Sequence, residues 1–254
     1  MRVDLHSHTT ASDGQLTPTE LLLRAANMQV DVLAITDHDT VAGLAEAEKA
    51  IADHQLGLTL ISGIEISTRW HSFDIHIVGL NIDIDNPDFS AFVQTQQQIR
   101  NARAIKIAEK LERTGFNHIY QQASDMARGG EITRAHFARA LVQYHGLSSM
   151  GEAFKKFMGK GNVGDVKAEW PAIEAAVSAI HQAGGSAVLA HPLKYDLSTK
   201  WLRRLISHFA EVGGDAVEVA GPGVVGQKQT LIHDIVATEQ LSGSVGSDFH
   251  GPGR

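Results

Sequence analysis

The sequence predicts an α/β fold, a barrel of seven strands alternating with helices and interrupted once by a helical insertion. Short aliphatic or β-branched runs recur between longer segments of helical period. That alternation stops between about Ile84 and Asp165, where only helical patterns remain. Side chains able to hold a metal ion recur at the end of nearly every strand-like run. Strand, helix, strand alternation implies a parallel sheet, and seven such runs in 254 residues favour closure into a barrel.

Val3 to His6 reads as the first strand, followed by a helix over Pro18 to Met28 with Pro at its first position. The second to fourth strands fall at Val32 to Thr36, Leu58 to Ile66 and Ile75 to Leu80. Asp88 to Arg113 then has the length and period of one long helix that stops at Gly115, and further helical pieces surround Thr133 to Tyr144 and Met150 to Met158. The alternation resumes with a helix over Ile173 to Ala183, closed by Gly184-Gly185, and a strand over Ala187 to Ala190. A helix over Trp201 to Phe209 and strands at Ala216 to Val219 and Ser244 to Ser247 complete the pattern. Residues 1–83 and 166–254 therefore form a discontinuous barrel, and residues 84–165 a helical insertion placed to cap its mouth.

Composition narrows the function. With 43% hydrophobic and 20% charged residues the chain can bury a core. Its 22 basic and 29 acidic residues give a net charge of −7, so no global positive field gathers nucleic acid, and any polyanion must be held locally. The lack of Cys excludes disulfides, thiolate metal sites and a Cys nucleophile. No apolar run reaches signal-peptide or membrane-span length, so a cytoplasmic protein without membrane association is expected. Fourteen His nearly match the nine Phe, three Trp and three Tyr together, an excess that needs a chemical reason.

Position supplies the reason. His6 and His8 end the first strand, Asp37-His38-Asp39 the second, Glu65 the third, His191 the fifth, and Asp248 with His250 the seventh, while His76 lies in the fourth. In a barrel of parallel strands these ends converge on one face, where catalytic groups collect. On extended chain His6 and His8 point to the same side and can grip one ion, and Asp248 with His250 repeats the spacing. Glu65 between Ile64 and Ile66 would be costly to bury without a cation. Imidazole and carboxylate without thiolate suit Zn, Mn or Fe. His54, His71, His118, His145, His181, His208 and His233 lie away from the strand ends and read as surface or packing residues. Asp37 and Asp39 read as supports of the ligands or as helix caps.

The segments Asp4-Leu5-His6-Ser7-His8-Thr9, Ser12-Asp13-Gly14 and Ile35-Thr36-Asp37-His38-Asp39 resemble the opening motifs of the polymerase and histidinol phosphatase (PHP) domain. Gly63-Ile64-Glu65-Ile66, Ala190-His191-Pro192 and Gly246-Ser247-Asp248-Phe249-His250 resemble its later motifs, so the likeness spans almost the whole chain. Within it, Thr9 to Gly14, Glu65-Ile66-Ser67, His76 to Leu80 and Thr133 to Arg139 are similar to the TrpH or RNase AM branch. The resemblance implies a distorted (β/α)7 barrel and a trinuclear site. One ion would take His6, His8, Glu65 and Asp248, a second Glu65, His76 and His191, and a third Asp13, His38 and His250.

It also implies an activity: hydrolysis of the 3′-phosphate of nucleoside 3′,5′-bisphosphates and 5′ to 3′ degradation of short 5′-phosphorylated RNA by a metal-activated hydroxide. Two to three divalent ions are expected, Mn first, with Zn, Fe or Mg as alternatives. Three such ions outweigh the carboxylates of Asp13, Glu65 and Asp248, so the cluster draws a phosphate dianion even on a chain of −7. His191, His250, Glu65 and Asp248 form the expected catalytic set, His191 or His250 serving also as proton donor. Nucleoside bisphosphates and short single-stranded RNA are the expected partners of a monomer.

In the insertion Arg100, Arg103, Lys106 and Lys110 recur at helical spacing, and Arg134 and Arg139 lie close together further on. The resemblance marks Arg100 and Arg134 as the pair that holds the neighbouring substrate phosphate by a guanidinium fork. Three other readings compete: a PHP phosphatase of the histidinol-phosphate type, an amidohydrolase, whose barrels also begin with HxH, and a metal-binding module without catalysis.

Overall fold

The computed structural model describes residues 1–221 and 224–252. Seven strands, β1 (Val3–Asp4), β2 (Val32–Ile35), β3 (Thr59–Trp70), β4 (Phe73–Leu80), β5 (Ser186–Leu189), β6 (Ala216–Ala220) and β7 (Ser242–Val245), lie side by side in chain order. The ends of the sheet meet. Leu5 donates its backbone N–H to Val245 at 3.0 Å, Asp248 to His6 at 2.9 Å and His8 to Phe249 at 2.9 Å, so the sheet closes into a barrel.

All strands were expected to run parallel, and β4 overturns that. It is antiparallel to both β3 and β5, whereas the other pairs are parallel. The cause is the turn at His71-Ser72, with His71 at a φ of 51°, which joins Trp70 directly to its partner Phe73. So short a link can only make a hairpin, since a parallel crossover needs a dozen or more residues. Nothing in His71-Ser72 signals it, because the usual hairpin turns carry Asn-Gly or Asp-Gly. The reversal has a use. His76, near the start of β4, pairs in register with Ser67 and so stands level with the C-terminal rim of the parallel strands.

Helices α1 (Pro18–Asn27) and α2 (Leu44–His54) cover one side of the barrel through Leu22, Leu33, Ile35 and Leu44. Thr17 and Glu20 form a capping box that starts α1. Helices α7 (Ile173–Gln182), α8 (Thr199–Glu211) and α9 (Gln227–Thr238) cover the other, burying Ile64, Ile77, Ile180, Leu205 and Phe209. Each such side chain contributes roughly 1.5 to 3 kcal/mol when fully buried.

Helix α3 (Pro87–Glu112) connects two cores. Its first turns place Phe89 and Val93 in the barrel core, while Ala104, Ile107 and Leu111 join a separate cluster. That second cluster is completed by α4 (Ile119–Ala127), α5 (Arg134–His145), α6 (Met150–Ala153) and a π-helical turn over Phe154–Met158, around the fully buried Phe137 and Leu141. The sequence shows no start signal for α4, because its N-cap is His118 in the left-handed region, with no side-chain cap bond. Among the described residues no helix is long and apolar enough to cross a membrane.

Candidate metal centre

The barrel rim brings all nine predicted ligand residues together. His6 and His8 follow β1 and are fully buried, while Ser7 between them turns outward and donates to the Ala34 carbonyl at 2.6 Å. Gly246 makes room for His6, since a Cβ there would stand 2.4 Å from the His6 Cβ. Asp13 lies on the loop after β1, His38 after β2, His191 after β5, and Asp248 and His250 after β7. Glu65 is interior to β3, which runs four residues further than its apolar pattern suggests, and is bridged to His38.

Three groups of donor atoms result. In the first, His6 Nε2 lies 3.0 Å from His8 Nε2, 3.4 Å from Glu65 Oε2 and 3.5 Å from Asp248 Oδ1. His8 Nε2 lies 3.3 Å from Glu65 Oε2 and 3.2 Å from Asp248 Oδ1. Four N and O donors at about 2.0 to 2.2 Å around one tetrahedral ion stand about 3.3 to 3.6 Å apart. The donors are therefore already spaced nearly as such an ion requires. In the second, Glu65 Oε1 is 2.8 Å from His76 Nδ1 and 2.9 Å from His191 Nε2, and its Oε2 is 2.9 Å from His38 Nδ1. In the third, Asp13 Oδ1 is 3.3 Å from His250 Nε2 and 3.9 Å from His38 Nε2. Two residues are shared more widely than the resemblance implies, since His8 also approaches the Asp13 group and His38 the pair Glu65 and His76.

The donors fit a cation better than they fit one another. Asp13 Oδ1, His38 Nδ1 and Glu65 Oε2 are buried with neighbours 2.9 to 3.3 Å away that are not aligned for a hydrogen bond, each a cost of about 1 to 3 kcal/mol unless something else is bound. Electrostatics agree. Burial opposes the charge on Glu65, yet His38, His76 and His6 around it hold its carboxyl well below the usual range. Asp248 and Asp13 are held low against burial in the same way, by His8 and His6 and by His38 and His250 respectively. Conversely, burial would lower His8, but Asp248 and Glu65 raise it to about 10. The carboxylates thus draw positive charge to the position where a divalent ion would sit.

Residues outside the expected set hold these donors in place. Glu218 on β6 lies 2.6 Å from His6 Nδ1 and accepts the backbone N–H of His191 at 2.6 Å, next to a register shift in the β6–β7 pairing. Its signal was the one that singled out Glu65, a lone carboxylate in an apolar strand, Ala216-Val217-Glu218-Val219-Ala220. Asp37 accepts from the Thr9 N–H, the Thr9 hydroxyl and the Ser12 hydroxyl at 2.6 to 2.7 Å, fixing the loop that carries Asp13. Asp39 accepts from the Ser67 N–H and from Gln96 and Arg100. Neither aspartate caps a helix, since α2 begins after Gly43. Asp39, His191 and Asp248 all have φ above 30°, a strained backbone that only surrounding contacts sustain.

The basic stripe divides. Lys106 and Lys110 are exposed, but Arg100 is 6% exposed, with its Nε 2.9 Å from Asp39 Oδ2 and its Nη2 2.9 Å from Ser67 Oγ. Arg100 and Arg103 both stand over the Trp170 ring, and burial together with nearby Arg134 lowers Arg103 to about 10. Arg134 opens α5 half-buried, with no hydrogen bond or ion pair among the described residues. Arg139 donates to the Asp13 carbonyl. Of the histidines read as surface or packing, His181 pairs with Asp215 and His208 with Glu174, and none of the seven enters a donor group among the described residues.

A closed barrel with histidines and carboxylates gathered at one rim is the build of a metal-dependent hydrolase. The chain belongs to the PHP domain family, whose model matches residues 4–189. It is 50% identical over 98% of its length to the 5′-3′ exoribonuclease Rnm of Escherichia coli, covering 85% of that protein. It is 39% identical to the 3′,5′-nucleoside bisphosphate phosphatase of Chromobacterium violaceum, covering 99% of this chain and 88% of that protein. A solved structure of an amidohydrolase from Chromobacterium violaceum, with bound sulfate and no metal, superposes with a TM-score of 0.93 at 38% identity, over 100% of this chain and 89% of that one.

Proposed function

We propose that the protein is a metal-dependent phosphoesterase that removes the 3′-phosphate of nucleoside 3′,5′-bisphosphates and degrades short 5′-phosphorylated single-stranded RNA from its 5′ end. The observation that carries this is the near-tetrahedral spacing of His6, His8, Glu65 and Asp248, with Arg134, which has no hydrogen bond or ion pair among the described residues, opening α5 directly after Thr133, whose hydroxyl reaches Asp13. The two relatives named for these activities support it.

One recognition serves both substrates. A bisphosphate and an RNA 5′ end share the unit of a 5′-phosphate, a nucleoside and a 3′-phosphoryl group. Arg134, with Arg100 behind it, takes the 5′-phosphate, which sets the 3′-phosphoryl group over the rim. Arg100 contributes less charge, because Asp39 neutralises it. Two to three divalent ions, Mn first and Zn, Fe or Mg as alternatives, would lower the pKa of water and polarise the phosphoryl oxygens. His6, His8, Asp13, His38, Glu65, His76, His191, Asp248 and His250 would hold them. His191 and His250 stand at the partly exposed edge of the cluster, where either can deliver a proton to the departing 3′-oxygen.

Residues 84–165 act as the cap and the rest of the chain as the barrel, a division supported by the separate apolar cluster around Phe137. A cytoplasmic monomer completes the reading. Metal analysis coupled to turnover of adenosine 3′,5′-bisphosphate, histidinol phosphate, a cyclic amide and 5′-phosphorylated RNA tests it. Bound divalent metal with preference for the first and last supports it, and preference for the amide or for histidinol phosphate overturns it.

A further inference from the structure

We infer that the cavity beside His191 and Asp248 is a subsite for the downstream nucleoside of an RNA, the one joined through its 5′-oxygen to the phosphoryl group under attack. This rests on the proposed function and adds a second binding position to it. The cavity measures about 200 Å³ and is walled by His191, Leu193, Lys194, Ala220, Lys228 and Asp248. At roughly 30 Å³ per water it has room for one base-sized group.

Its place in the barrel gives the direction of the strand. Arg100 and Arg134 stand over the rim at β2 to β4, since Arg100 is tied to Asp39 and Ser67, and Arg134 is close enough to Arg103 to lower its pKa. The cavity lies at the ends of β5 to β7. Because the strands follow one another in order around a closed barrel, these positions face each other across the donor cluster. An RNA with its 5′-phosphate at Arg134 and its first linkage over the cluster must continue toward the cavity.

The lining suits that occupant. Leu193 and Ala220 offer an apolar wall to a base or sugar, and Lys228 faces the next phosphate. Lys194 Nζ contacts Asp248 Oδ2, leaving Oδ1 to face His6 and His8, so this cation sits at the rim without displacing a donor. Lys228, in the first turn of α9, has no hydrogen bond or ion pair among the described residues. Of the charges in the cavity wall, Lys194 is paired with Asp248 and Glu218 is engaged by His6 and the His191 N–H, which leaves Lys228 as the cation open to a phosphate on a chain of net charge −7.

The chemistry gives the subsite a purpose. Water adds to phosphorus, the bond from phosphorus to the upstream 3′-oxygen breaks, and that oxygen takes a proton. The upstream nucleotide leaves as a 5′-mononucleotide. The remaining RNA keeps the phosphate on its own 5′-oxygen and is again a substrate. A subsite that grips the downstream nucleoside holds this product for the next cut, whereas a nucleoside bisphosphate leaves it empty.

The test compares kcat/KM for a 5′-phosphorylated trinucleotide with kcat/KM for adenosine 3′,5′-bisphosphate, in the Mn-loaded wild type and in Lys228→Ala and Leu193→Glu. The ratio is expected to fall about tenfold in each variant, the order of effect that one base or phosphate contact carries. Titration of the trinucleotide onto the same variants in a Glu65→Gln background should show the matching loss of affinity. Unchanged ratio and affinity in both variants, with an active wild type, overturn the subsite alone. A wild type that leaves the trinucleotide intact while hydrolysing the bisphosphate overturns the exoribonuclease reading and the subsite with it.

Discussion

His6 Nδ1 lies 2.6 Å from Glu218 Oε1, a contact that reaches across β7 from the sixth strand to the end of the first. Glu218 is held ionised, because His6 and then His191 offset the cost of its burial, so it must accept and the His6 Nδ1 must carry the proton. His6 Nε2 is thereby the nitrogen turned to His8, Glu65 and Asp248 and the one that a metal ion would engage. Removing a carboxylate that orients a metal-binding His costs about ten- to a hundredfold in metal affinity. Glu218→Ala should show such a loss by Mn titration calorimetry, and Glu218→Gln a smaller one, since its amide oxygen still accepts from His6. Wild-type affinity in Glu218→Ala would sink this role.

Glu65 reaches donors on four other segments, at His6, His38, His76 and His191. Glu65→Gln should therefore abolish phosphoesterase activity and lower the bound metal by more than one ion per chain, while the circular dichroism spectrum stays native. Full activity with normal metal content would remove Glu65 from the centre.

Arg134→Ala should impair bisphosphate and RNA cleavage far more than cleavage of p-nitrophenyl phosphate, which has no second phosphate. A charge-assisted contact contributes about 1.5 to 3 kcal/mol, or roughly ten- to a hundredfold in kcat/KM. Arg100→Ala should behave differently, lowering Tm as well, because it strands buried Asp39 without its cation. Equal losses on all substrates for Arg134→Ala would place that residue in the metal centre or the fold.

Most of the residues that gather at the rim were legible because their signal is local, whereas Asp13 came only from the family resemblance. HxH on extended chain, a carboxylate between isoleucines and His-Pro at a strand end each constrain geometry within a few residues. The β3–β4 hairpin was not legible, since its turn lacks Gly and Asn and only tertiary pairing of Thr68 with Ile75 and Trp70 with Phe73 extends β3. The fate of the basic stripe was hidden for the same reason. Arg100 and Lys110 look alike in sequence, and only the placement of Asp39, Ser67 and Trp170 decides that one is buried and the other solvated.

His136 gives a pH test separate from catalysis. Its neutral ring accepts the Thr133 N–H at 3.0 Å and so caps α5, while Thr133 Oγ1 reaches Asp13 Oδ2 at 3.1 Å. Burial, followed by the opposing pull of Asp13 and the repulsion of Arg139, leaves its pKa lowered to about 4. The unfolded chain takes up this proton near 6.5, so between 6.5 and about 4 the unfolded state binds more protons than the folded one. Stability from His136 is then fully present above pH 6.5 and is lost as pH falls toward 4, by up to about 3 kcal/mol. His136→Gln keeps an acceptor for the Thr133 N–H and cannot take the proton. Chemical denaturation of both proteins, metal-free, at intervals from pH 8 to pH 4.5 isolates the effect, because the other titrating histidines are common to both. Wild type should lose stability more steeply than the variant below pH 6.5. Parallel curves would show that His136 is charged in the folded protein and that the cap on α5 is not its neutral ring.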